Sequence, residues 1–247
     1  MLTTAAILHP TEGVGGLLAS AHSLSGAVAD WWRGVDLGGS QCGAPEVIGP
    51  CPTSPGEPPE RPPTPSRWAP SIIRQSVECS TLSGDMGDYA ATALSLTREW
   101  AVARTLQFGG DNIPSLDGSA TQLGSVSTLR DAIAELEADT ADELTGRRAY
   151  LHVPQGLSIY LPRTVRRDDA GRWRTPAGNV VIVSPGYSGS KVYATGEVWA
   201  SVGQRSAVDI VRRDVNVAEA WVDEIGLAVF HPCYVTSVAI EDESNGG

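Results

Sequence analysis

The pentapeptide Gly186–Ser190 reads GYSGS and follows the apolar run NVVIVS, where a strand could hand its serine to a turn. A nucleophile elbow at such a turn exposes its serine for acyl transfer, and it needs glycine two residues after the serine so that the next helix packs closely. Ser190 stands in that place, and a strand-like segment follows. His152, in a strand pattern, and His231, before Pro232, carry no spacing that ties either of them to Ser188 as a base. Hydrolase chemistry is not expected, and no catalytic residue is assigned.

Other sources of chemistry fail similarly. GVGGLL from Gly13 does not complete a dinucleotide fingerprint, and no glycine-rich loop carries the Gly-Lys-Ser/Thr that cradles phosphates, so no cofactor is expected. Cys42, Cys51, Cys79 and Cys233 lack the close second pair or histidine pair of a zinc site, so no metal is expected either. Cys42 and Cys51 bracket the loop CGAPEVIGPC. They either remain free thiols in a reducing cytoplasm or close that loop as a disulfide once in oxidising surroundings. The neighbouring carboxylates Asp168-Asp169, Asp223-Glu224 and Glu241-Asp242-Glu243 read as solvated surface.

A net charge of −11 argues against a chain that grips nucleic-acid phosphates. No run reaches the ~18–20 apolar residues of a membrane helix, and no basic residue precedes Arg33 to open an export signal. Neither a membrane partner nor export is expected. Five arginines, Arg163, Arg166, Arg167, Arg172 and Arg174, crowd a predicted hairpin whose turn is DDAG. They read either as a solvated loop tip or as an electrostatic contact with an acidic neighbour.

The elements that would position these residues follow from periodicity. Apolar residues at i, i+3 and i+4 predict a helix from about Leu17 to Trp32, ending in Trp31-Trp32, which pack either on the same chain or on a neighbour. Residues 39–70 hold most of the 17 prolines, which excludes an internal helix or central strand and leaves an extended arm or a linker. A strand is predicted over 71–82. A long helix follows from Asp85 to Phe108, with Tyr89, Ala93, Leu96, Trp100, Ala103 and Leu106 along one stripe and Gly109-Gly110 as its stop. Thr128 and Asp131 open a second helix, about Leu129 to Leu144, with an apolar face and a solvated acidic one. Beyond Gly146 the segments AYLHV, NVVIVS, KVYATGEVWASV, SAVDIVRR, GLAVF and YVTSVAIE read as strands. Helices segregated from strands predict an α+β fold.

Over roughly Ala69 to Glu241 the order VECSTLSGD, a long helix ending RTLQFGG, a capped helix, LHVP, QGLSIYLPR, TPAGNVVIVSPGYSG, KVYATGEVWASVG, DVNVAEAWVDE and FHPCYVTSVAIE resembles the core of the Hong Kong 97-type capsid fold, notably in head proteins of actinobacterial phages. The resemblance implies an N-terminal arm (1–38), a Pro-rich extended loop and strand (39–82), a spine helix of a peripheral domain (83–111), an axial domain (112–190) and return strands with a tail (191–247). It implies a major capsid subunit, assembled in the host cytoplasm into pentamers and hexamers of an icosahedral virion shell around double-stranded DNA that it contacts weakly and non-specifically. Scaffold, portal and decoration proteins are the implied partners, and Trp31, Trp32, Trp68, Arg163, Arg166 and Arg167 the candidate intersubunit contacts. A minor virion or head-to-tail joining protein and an encapsulin-like shell subunit are the alternatives. Some family members crosslink a loop lysine to a neighbour's asparagine; the one lysine, Lys191, lies outside the predicted loop, which implies a shell without crosslinks.

Overall fold

Strands that are apolar at successive positions need cover on both faces, and this chain provides it with helices on opposite sides of one sheet. The computed structural model describes residues 15–24, 35–37, 66–68, 70–79, 86–109, 114–144, 147–212, 217–232 and 234–241. In chain order the elements are α1 (Leu17–Ser20), β1 (Val35–Leu37), β2 (Ser66–Trp68), β3 (Ser71–Cys79), α2 (Met86–Phe108), α3 (Leu116–Ser119), β4 (Thr121–Val126), α4 (Leu129–Glu143), β5 (Tyr150–Pro154), a 3-10 turn (Gln155–Tyr160), β6 (Arg166–Arg167), β7 (Trp173–Arg174), β8 (Val180–Ser184), β9 (Lys191–Thr195), β10 (Val198–Arg212), β11 (Val217–Phe230) and β12 (Val235–Ile240).

A broad seven-stranded sheet has the order β4-β12-β9-β5-β8-β7-β6, and a narrow three-stranded sheet the order β10-β11-β3. The strands β5, β8 and β9 are buried at nearly every position. Their period of two sends Tyr150, Val180, Ile182 and Tyr193 into a core shared with α2, and Leu151, Val153, Val181, Val192 and Ala194 into a second core under α4. Helix α4 starts as predicted: the Thr128 hydroxyl accepts from the Asp131 N–H at 3.1 Å. Its acidic face is only partly solvated, because Glu137 accepts from Thr175 and Asn179, and Asp139 accepts from Tyr234, pinning the helix to the sheet.

Helix α2 lies on the narrow sheet as well. Gly226 allows the close approach: a Cβ there would come within 2.7 Å of Ile73 and 2.9 Å of Val102. At that junction the buried Glu224 of β11 accepts from Arg205 of β10 at 3.2 Å, and Arg205 also donates to Ser95 of α2.

Three expectations need correction. The helix predicted over Leu17–Trp32 ends at Ser20, and Ala21 is already extended. Packing overrides the periodicity here: the Leu17 and Leu18 N–H groups donate to the Glu99 carboxylate at 2.6 and 3.0 Å, and His22 pairs with β10 through Val198 and Ala200. The rest of that segment, from residue 25, lies outside the described residues. The predicted stripe of α2 is also rotated. Ala103 and Leu106 are buried, but Tyr89 (64%), Leu96 (54%) and Trp100 (45%) face outward. Glu99 must reach the two N–H groups and the Ser184 hydroxyl (2.9 Å), and this polar demand turns Ala90, Leu94 and Val102 inward. Finally, KVYATGEVWASV is not one run: the chain breaks at Gly196-Glu197, leaves the broad sheet after β9, forms the long β10–β11 hairpin and returns with β12.

Candidate assembly surfaces

The GYSGS segment is a structural junction. Gly186 sits against α2 so closely that a Cβ would stand 2.3 Å from the Trp100 carbonyl oxygen. Beyond it the Ser188 N–H donates to the Gln107 side chain at 2.8 Å, and the same amide returns a bond to the Ser188 carbonyl at 2.9 Å. The serine thus serves through its backbone, locking the broad sheet to the last turn of α2.

Tyr187 reaches His152 rather than solvent. Its hydroxyl lies 2.8 Å from His152 Nδ1, and Thr195 Oγ1 lies 3.0 Å from Nε2. Because the Thr195 proton is already given to the Gly196 carbonyl, Nε2 carries the ring proton and Nδ1 accepts from Tyr187. Burial disfavours the charged ring and pulls His152 down to about 3. A neutral, fully hydrogen-bonded histidine with no access to solvent is a core strut.

The arginine hairpin has the predicted turn. Asp168 accepts from the Ala170 and Arg172 N–H groups and from the Arg172 and Arg174 guanidiniums at 3.1 and 2.7 Å. The Arg174 bond, with backbone and charge support from Arg172, holds the Asp168 carboxyl down at about 2. Arg167 lies 4.6 Å over the Trp173 ring. Arg163, Arg166 and Arg167 are exposed and make no ion pair among the described residues, so three positive charges stand open at the β6 border.

Trp68 departs from the expected intersubunit role: it has no exposed surface and meets Phe230 edge-on at 4.6 Å. A ring that fills its own chain's core has nothing left to offer a neighbour. Trp31, Trp32, Cys42 and Cys51 lie outside the described residues. Periodicity alone did not single out the outward side of the hairpin, where every described side chain from Arg205 to Arg212 is exposed, Val208, Ile210 and Val211 among them. The alternating pattern was visible in SAVDIVRR, but nothing in it says whether cover comes from the same chain.

No protein-family model matches the sequence, and no curated protein matches it. Solved structures do match. The chain superposes on a protein of Gordonia phage Cozz with a TM-score of 0.57 at 12% identity, over 98% of this chain and 92% of that one. The capsid of a native GTA particle matches with a TM-score of 0.58 at 10% identity, over 93% and 91%. A protein of Mycobacterium phage Adephagia matches with a TM-score of 0.54 at 11% identity, over 92% and 91%. The chain therefore has the α+β, Hong Kong 97-type capsid fold, with a long helix packed on both sheets.

Proposed function

We propose that this chain is a major capsid subunit that self-assembles into an icosahedral virion shell around double-stranded DNA, and that it performs no catalysis. The observation that carries the reading is near end-to-end likeness to a phage protein and to a GTA capsid, combined with a long hairpin whose strand β10 has no cover of its own from Arg205 to Arg212. An eight-residue stretch of β10, Arg205 to Arg212, exposed at every position is costly for an isolated subunit and reasonable for one that lies against neighbours. The net charge of −11 agrees with a wall that encloses DNA without adhering to it, since like charges repel.

In this reading α2 is the spine helix, and the peripheral domain combines it with the narrow sheet. The axial domain, residues 112–190, is completed by β9 and β12 of the return segment, because both lie inside the broad sheet. Residues 1–38 form the arm, and 39–82 the extended loop and its strand. Arg163, Arg166 and Arg167 are intersubunit contacts. Scaffold, portal and decoration proteins are partners, and the shell carries no lysine–asparagine crosslinks.

Electron microscopy of the purified full chain tests the reading: closed shells or rings of five and six are expected. A monomer at all salt and protein concentrations would overturn it, and ladders of covalent multimers on a denaturing gel would overturn the uncrosslinked shell.

A further inference from the structure

The two borders of the broad sheet carry opposite charge. At the β6 border Arg163, Arg166 and Arg167 are open, Asp169 is the one exposed acid beside them, and Asp168 is already engaged by Arg172 and Arg174. The β4 border runs from α3 through β4 to the first turns of α4 and the end of β12, and it displays Asp117, Asp131, Glu135 and Glu241 against Arg130. Asp117, Asp131 and Glu241 each accept one bond, from Tyr193, Thr128 and Ser125, which fixes them in place without neutralising them. Glu135 has no hydrogen-bond or ion-pair partner among the described residues.

Those borders cannot satisfy each other within one copy. Six strand spacings separate them, roughly 29 Å at ~4.8 Å each, about three Debye lengths at 0.1 M salt. A twofold contact would set like edge on like edge and repel. Opposite edges meet only when the second copy is placed head-to-tail, and such a contact, repeated with a rotation that closes, makes a ring.

We infer that the arginine border of one copy docks on the acidic β4 border of the next, and that this charge pairing sets the direction and register of the subunit ring. The inference rests on the capsid reading and supplies its contact. Charge at such an edge acts chiefly on encounter rate and register.

The experiment compares three full-length chains by light scattering and electron microscopy at low and high salt: wild type, the triple variant R163E/R166E/R167E, and the double variant E135R/E241R. Each variant alone should assemble at least ~10-fold more slowly than wild type at low salt. Mixed in equal amounts, the two should recover, because an acid-edged copy now fits between two base-edged ones. Such alternation needs an even count, so the mixture should form hexameric rings and no pentameric ones. Recovery on mixing also shows that both variants fold. Unimpaired assembly of either variant alone, or failure of the mixture when circular dichroism shows both variants folded, would overturn the pairing while leaving the capsid reading intact. Absence of rings and shells from wild type would overturn both.

Discussion

The central strands of the broad sheet and the outer half of β10 are built from similar β-branched residues, yet the former are covered on both faces and the latter is exposed throughout. In the broad sheet, β5 is buried along its whole length, and even its histidine is hydrogen-bonded at both nitrogens. In the hairpin, Arg205 to Arg212 are exposed without exception. The contrast teaches that apolar pattern records where cover is needed and not which molecule gives it. One region stabilises the subunit; the other is available for contacts beyond it.

Substitutions can break that contrast. Leu151→Ala removes a fully buried side chain from the core under α4 and should cost about 2–5 kcal/mol by denaturant titration. Gly186→Ala forces a methyl group against the Trp100 carbonyl and should cost about 1–3 kcal/mol, with loss of near-ultraviolet dichroism if the broad sheet and α2 separate. Acid sharpens the difference further. His152 is neutral when folded and takes up a proton when unfolded, so its contribution is fully present above about pH 6.5 and is lost as pH falls toward about 3. Stability should drop there by about 1.4 kcal/mol per pH unit for this group, and His152→Phe should flatten the slope. Asp168 loses its arginine bonds in the same direction, as pH falls from about 4 through about 2. The smallest effect belongs to Val211→Ala, within about 0.5 kcal/mol on the subunit. If that variant proved as destabilising as Leu151→Ala, the two regions would not differ as described.

Much of the architecture was legible from local signals. The Thr128 cap, the span of α2, the strands at 150–154 and 180–184 and the DDAG turn each depend on neighbours in sequence. What escaped depends on partners far along the chain. Nothing local marks Glu99, and only its bonds to residues 81 to 85 positions away reveal why the helix is rotated. Trp68 stood among the candidate intersubunit contacts, but Phe230 claims it. Of the candidate contacts, the arginine cluster was readable as a charge excess, while its counterpart was not, since Asp117, Glu135 and Glu241 come together only when β4 pairs with β12.

The return of the chain to the broad sheet has a mechanical consequence. Strand β10 continues from β9, β11 continues into β12, and β9 and β12 are themselves paired, with Thr195 opposite Val235 at the foot of the hairpin. A pull on the hairpin tip travels along two backbones and arrives at two adjacent strands moving together. Their mutual hydrogen bonds then carry little shear, and the load spreads onto β5 and β4 on either side. The hairpin is thus tethered like a handle with both ends sunk in the same block, and tension on it meets the broad sheet as one unit.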